Sequence, residues 1–356
     1  MSLASTLGAF DEWRWAGQRL VLVTVIETQG STYTKAGHRM VVADNGQYHG
    51  MVSGGCLEGD LAEHAREVIA DGKSRLITYD LRDEADELFG LGIGCNGLLR
   101  LLLQRLEPSS HYAPYLDIAA CHRSFAGGRL ALVTQSDADN IQAGATRLQT
   151  QDGTTSWGLP ENLNAQIDAL LARRSATEHE HLTIGEQRCE LLISRVPPIP
   201  RLLILGAGAD AAPLVGMAAE LGWRVSVADH RPAYLANPGL KSAYASIEAR
   251  PGALREQLDP DEFHAAVIMT HHLDSDRAHL AELAESALTY IGLLGPRARR
   301  DRLVKELGPA ASKLGQRLHG PVGLDLPVDS PESIALSIVA EIQQHIATLL
   351  PGLDCG

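Results

Sequence analysis

The chain has no long apolar run, little cysteine and no excess of positive charge, and each shortage removes a class of function. Its apolar stretches are short, such as Leu98–Leu103 with Arg100 inside, well under the roughly 20 residues that a membrane-spanning helix needs. The first residues, MSLASTLGAFDEWRWAGQ, have no basic flank and no sustained apolar core, so they do not read as a signal peptide. Five cysteines is an odd count, with no CxxC pair, which argues against a disulfide framework or structural zinc and points to a cytoplasmic chain. A formal net charge of −13 argues against nucleic-acid binding by counterion release, which needs clustered Lys and Arg. The one basic cluster, Arg297 to Arg302, reads as a solvated helix face. No internal repeat or low-complexity tract is visible. Also missing are a serine nucleophile elbow, HExxH, a P-loop lysine and any carboxylate pair at an interpretable spacing.

What is present is the composition of an ordinary globular protein, 45% hydrophobic and 21% charged in 356 residues, a length that suggests about two domains. Residues 201–229, RLLILGAGADAAPLVGMAAELGWRVSVAD, are the most informative stretch. The apolar run 201–205 suits a parallel strand covered on both faces. Gly206 and Gly208 allow a tight turn and close approach to a phosphate, and Ala211 lets a helix over 210–221 sit against the strand. Gly222 stops that helix, strand 223–228 follows, and Asp229 stands where a carboxylate would accept a ribose hydroxyl. The rest continues a doubly wound pattern, with strands near 243–247, 265–270 and 290–294 and helices over 276–286, 296–307 and 331–349. Pro331 sits behind Ser330 as a helix start.

Ahead of this unit, residues 1–107 predict a helix over 7–16, strands 20–28, 39–43 and 47–52, a helix over 57–71, and strands 75–81 and 98–106. Residues 108–198 predict a helix over 112–126, strand 130–134, a hairpin, a helix over 163–173 and a second hairpin turning at Gly185. That segment shows no obvious core-sized set of elements, so it reads as completing the first domain. The proline-rich run PPIP, 197–200, is a stiff connector. The expected fold is α/β: an N-terminal α+β domain, 1–198, and a C-terminal Rossmann-like doubly wound parallel sheet, 199–356.

Two cysteines stand in glycine-rich loops. Cys56 lies in SGGCLEG, where Gly54 and Gly55 open a helix whose backbone amides and dipole would favour a thiolate or another anion. Cys95 lies in GIGCNG, where Gly94 and Gly97 permit close approach of a bulky ligand. A third loop, GSTYTKAGHRM, offers Lys35, His38 and Arg39 to a phosphate or pterin. His271 and His272 follow a strand, facing the ligand crevice of an open α/β sheet, and fit positioning or helix capping better than metal binding. Cys121, Cys189 and Cys355 have no such context.

The order GSTYTKAGHRM, VSGGCLEGDL, GLGIGCNG, LILGAGADAAPLV, VIMTHHLDSD, YIGLLGPRARRDRL and GPVGLDLPVDSPESIALSIVAEI resembles the xanthine dehydrogenase accessory protein family, XdhC/CoxI, over nearly the whole chain. The resemblance implies a maturation factor rather than an enzyme. It would bind the molybdenum cofactor, support its sulfuration with a cysteine desulfurase, and deliver it to a molybdenum hydroxylase apo-enzyme. Cys56 and Cys95 occupy the family's two glycine-flanked cysteine positions, where one or both would lie near molybdenum. Gly206, Gly208 and Asp229 occupy its nucleotide-fold positions. Two departures stand out: Thr34 follows Tyr33 where the family commonly has arginine, and Asn96 replaces a glycine. Two other readings stay open: an oxidoreductase using NAD(P), with Asp229 favouring NAD over NADP, and a non-catalytic scaffold joining desulfurase to molybdoenzyme. A homodimer is the default assembly.

Overall fold

The computed structural model describes residues 1–82, 97–173, 177–184 and 187–349, with 347–349 through their backbone alone. Two compact units divide the chain at Pro198 and Ile199. In the N-terminal unit, α1 (Leu3–Trp15) is followed by β1 (Leu20–Gly30), β2 (Arg39–Ala43), β3 (Tyr48–His49), α2 (Glu58–Asp71), β4 (Arg75–Asp80) and β5 (Gly97–Leu106). The same succession then recurs as α3 (Tyr115–Arg123), β6 (Gly128–Ser136), β7 (Thr146–Thr150), β8 (Gly153–Trp157), α4 (Asn164–Arg173), β9 (Glu178–Ile184) and β10 (Gln187–Val196). The two antiparallel sheets have one topology, β3-β2-β1-β5-β4 and β8-β7-β6-β10-β9. The unit is therefore a duplicated αβββαββ fold, which corrects the reading that no internal repeat exists. Residues 108–198 also have a sheet, two helices and a core of their own.

The duplication extends to single hydrogen bonds. Before β2, Gly37 N–H donates to Val25 O, and Val25 N–H to His38 O. Before β7, Gly144 N–H donates to Val133 O, and Val133 N–H to Ala145 O. The pairing equates Lys35-Ala36-Gly37-His38 with Gln142-Ala143-Gly144-Ala145. It is reciprocal across the unit: a Cβ on Gly37 would meet Ser194 of β10, and one on Gly144 would meet Gln104 of β5. Burial on both sheet faces explains why β1 reads LVLVTVI rather than alternating. Val21, Val23 and Val25 pack under Leu61, Ala65 and Val68 of α2. On the opposite face Ile26 and Leu102 meet Leu132 and Leu192 of the second sheet. That sheet's outer face takes Ile167 and Leu171 of α4.

The C-terminal unit contains β11 (Arg201–Leu205), α5 (Ala211–Glu220), β12 (Arg224–Asp229), α6 (Pro232–Leu235), β13 (Ala245–Glu248), β14 (Ala265–Ile268), α7 (Leu273–Ala284), β15 (Tyr290–Leu293), α8 (Arg297–Leu307), β16 (Leu318–His319) and α9 (Pro331–Leu349). Its sheet is parallel, in the order β13-β12-β11-β14-β15-β16. Read from β11, this is the 3-2-1-4-5-6 order of a dinucleotide-binding sheet, which reverses direction between β11 and β14. One face buries Leu214, Val215 and Ala218 of α5 with Ile338 and Ile342 of α9. The other buries Leu280 and Leu283 of α7 with Leu303 of α8. Among the described residues no helix is long and apolar enough to cross a membrane.

Candidate functional site

The SGGC turn ahead of α2 is built around a carboxylate. Glu58 is fully buried. It accepts the backbone N–H groups of Val52 and Ser53 at 2.9 Å, Gly55 at 3.0 Å and Leu57 at 3.2 Å, and the Ser53 hydroxyl at 2.6 Å. Burial works against its charge, yet hydrogen bonds from Ser53 and Val52 hold its pKa below the ordinary value. Four backbone amides of the turn are thus engaged by the chain's own acid. Cys56 is exposed at the crown of this pinned turn. A Cβ on Gly55 would meet nothing within 4 Å, so the turn is open beside that glycine. The exposed Cys56 sulfur suits a soft metal, while an anion at this turn competes with Glu58 for the amides.

The other first-half loop packs against this turn. Thr34, in the place where an arginine was expected, is buried and donates to Val52 O at 2.8 Å. The Tyr33 ring lies over Gly54. Gly97, where the chain enters β5, lies so close to Ser31 and Thr32 that a Cβ would come within 2.6 Å of both. Ser31, Thr32, Tyr33, Ser53 and Gly97 close around a void of about 10 Å³, room for one water at most. Cys95 and Gly94 lie outside the described residues, as do Asn96, Cys355 and the Gly185 turn. Lys35 is exposed. Arg39 instead turns inward beside Tyr115 and Cys121. Burial pulls its pKa down to about 10, and its Nη2 has no hydrogen-bond partner. Cys121 and Cys189 are buried, and burial pushes the Cys121 thiol up to about 12.

In the C-terminal unit a crevice of about 660 Å³ opens at the carboxyl ends of β11, β14 and β15, beside the start of α9. This is the sheet's switch point, where ligands of open α/β sheets bind. Gly206 makes the first turn possible: its φ is +119°, and a Cβ would stand 2.5 Å from Met269 O. The Asp210 carboxylate folds over Gly208, and its Oδ2 is 2.7 Å from His271 Nε2. His271 itself holds a left-handed φ of +60°, a strained backbone of the kind that gathers at ligand sites. His272 caps α7, accepting from Ser275 N–H.

Arg299 lines the same crevice. It is held by the fully buried Asp276, which accepts Arg299 Nε at 3.0 Å and Nη2 at 2.6 Å, and also the Thr270 hydroxyl. Arg299 is therefore fixed at the crevice wall by a buried acid, a correction to the reading of 297–302 as a solvated face. Ala209, Met269, Leu294, Pro296 and Ile334 supply apolar walls. An apolar cleft of this size with a few converging polar groups suits a small heterocyclic ligand.

Asp229 is not free to take a ribose. It is buried, accepts Ala207 N–H at 2.9 Å, and is gripped by the Arg231 guanidinium at 2.7 and 2.9 Å. Burial opposes its charge, but Arg231 and the Ala207 amide bring its pKa down to about 2. Arg231 in turn lies 3.6 Å over the Tyr234 ring. Because Arg231 neutralises the acid, the inference that Asp229 repels a 2′-phosphate loses its basis. Glu58, Asp210, Arg231 and the Thr270–Asp276–Arg299 set were not singled out from the sequence. The visible signals were local: an acid two residues beyond Cys56, and an arginine two beyond Asp229.

Comparison with known proteins agrees with this architecture. Residues 202–342 match the XdhC Rossmann domain, and residues 13–80 match the XdhC and CoxI family. A protein of Bacillus subtilis strain 168, described as a probable xanthine dehydrogenase subunit, is 33% identical over 330 residues, 92% of this chain and 93% of that protein. The molybdenum cofactor insertion chaperone PaoD of Escherichia coli K12 is 27% identical over 330 residues, 92% of this chain and 83% of that protein. Among solved structures, a xanthine dehydrogenase from Bacillus halodurans superposes with a TM-score of 0.76 at 28% identity, covering 98% of this chain and 96% of that one. With 33% identity sustained over nine-tenths of its length, the chain belongs to the XdhC and CoxI family.

Proposed function

We propose that the chain is a molybdenum cofactor insertion chaperone for a molybdenum hydroxylase of the xanthine dehydrogenase type. Its similarity to a cofactor insertion chaperone over 92% of its length is the observation that carries this reading. The finer proposal is that it holds the cofactor while a cysteine desulfurase sulfurates it, then releases it to the apo-enzyme, acting as a cytoplasmic homodimer. The bound cofactor supplies a metal–dithiolene centre attached to a pterin and a phosphate. Cys56, exposed and in a turn fixed by Glu58, would offer its sulfur to the metal end, and Cys95 is proposed for the same role. Lys35 would meet negative charge near the same turn. Taken by itself, the C-terminal crevice would orient a heterocyclic ligand through Arg299 and the Asp210–His271 pair against apolar walls, with Gly206, Gly208 and Ala211 shaping the turn beneath. A chaperone must let go, and a chain whose glycine-turn amides are partly taken by its own acids favours modest affinity over a permanent clamp.

The oxidoreductase alternative fares worse on chemistry. Asp229, the group that would bind the nicotinamide nucleotide's ribose, is engaged by Arg231 and Ala207. A test of the thiolate role is retention of molybdenum cofactor by Cys56→Ala and Cys95→Ala after anaerobic loading. We expect at least one substitution to lower retention about tenfold or more, the scale of one lost ligand contact of about 1.4 kcal/mol. Unchanged retention in both folded variants would show that the loops act through backbone alone.

A further inference from the structure

We propose a second small-molecule site in the N-terminal unit, a hollow in its second half that takes a neutral nitrogen heterocycle bearing N–H donors. The hollow measures about 490 Å³, within the range of ligand sites. One wall is the loop between β6 and β7, with Asp139, Asn140 and Gln142; another is Trp157 at the end of β8. Gln104 reaches it from β5. None of the described lining residues is Lys, Arg or His. The charge it presents is the Asp139 carboxylate, so a phosphate-bearing ligand is repelled and a donor-rich neutral ring is favoured.

Gln104 braces one wall. It is 7% exposed, and its Nε2 donates to Gly144 O at 3.0 Å, which ties the β6–β7 loop to β5. Gly144, at φ +101°, lets the loop close on the Gln104 amide, where any Cβ would stand 2.4 Å away. A half-buried indole adds a flat face on which a fused ring can stack.

The duplicated fold sharpens the contrast. The matching loop of the first half carries Lys35 and His38 where the second carries Gln142 and Ala145, and Ser194 stands in the place of Gln104. One frame thus presents the Lys35 cation and a thiol on one side, acceptors and an indole on the other. The second site is therefore separate from the one proposed for the anionic cofactor.

Calorimetric titration of the full chain with adenine, with pterin and with adenosine 5′-monophosphate tests the proposal. At least one of the two neutral rings should bind saturably, and the nucleotide more weakly than adenine. Asp139→Ala should weaken the ring's binding about tenfold, as loss of a charged acceptor does, and Trp157→Leu should weaken it comparably. Asp139 is exposed, so its variant folds and keeps the test sharp even where Trp157→Leu does not. No saturable binding of either ring at millimolar concentration would overturn the proposal. So would binding unchanged by Asp139→Ala, or tighter binding of the nucleotide.

Discussion

Glu58 and Asp229 act alike in the two units: each buried carboxylate turns back onto a glycine turn and takes its backbone donors. At single-residue scale the same logic of burial governs titration. His122 is buried, and desolvation drives its pKa from 6.5 to about 3, only partly offset by its Nδ1 hydrogen bond to Pro197 O. Between those values the unfolded chain binds a proton that the folded chain does not. Stability should therefore fall as pH falls from about 6.5 towards 3, with a contribution of up to about 1.4 kcal/mol per pH unit from this group. Urea unfolding at several pH values should give a shallower acid slope for His122→Gln than for the parent chain. Equal slopes would contradict the assignment. Which residues sit in glycine turns was plain in the sequence. That their amides are claimed by the chain's own acids was not, because Glu58 reads as an ordinary first-turn helix acid and Asp229 as a ribose ligand until the turn geometry is seen.

At the scale of elements, the β11–turn–α5–β12 unit sets the crevice. Gly206 is the narrowest point: its positive φ and the 2.5 Å approach to Met269 O exclude a side chain. Gly206→Ala should destabilise the C-terminal unit by roughly 3 kcal/mol or more, combining backbone strain with a steric clash. Denaturant unfolding measures this, and a loss below about 1 kcal/mol would show that the turn relaxes. This unit was readable because several signals coincide: an apolar strand, two glycines, a helix stop and a terminal acid. Strand β2 and helix α9 were also expected at their observed bounds. The strand expected over 47–52 shortens to β3, Tyr48–His49, and β16, Leu318–His319, was not foreseen. Two residues carry no periodicity, and such strands form only because a neighbour offers its edge. Helix α7 begins three residues earlier than expected because His272 caps it, and histidine is not among the usual capping residues.

At the scale of the whole molecule, a duplicated sandwich and a Rossmann unit share one chain. The duplication was hidden because the halves share topology and loop hydrogen bonds while their loop side chains differ. Lys35-Ala36-Gly37-His38 and Gln142-Ala143-Gly144-Ala145 keep only the Ala-Gly pair that the turn requires. The family was legible through motif order along the full length, and relatives align over 92% of the chain. The crevice alone would have suggested a nucleotide enzyme; the first unit's exposed cysteine and the engaged Asp229 redirect that reading to cofactor handling. The most direct measurement is anaerobic transfer. The chain is loaded with molybdenum cofactor, freed of excess, and mixed with a molybdenum hydroxylase apo-enzyme whose activity is followed. The account predicts cofactor bound by the chain and activity restored in proportion to the loaded chain added. Failure to bind the cofactor, with NAD bound and reduced in the presence of a substrate, would contradict it.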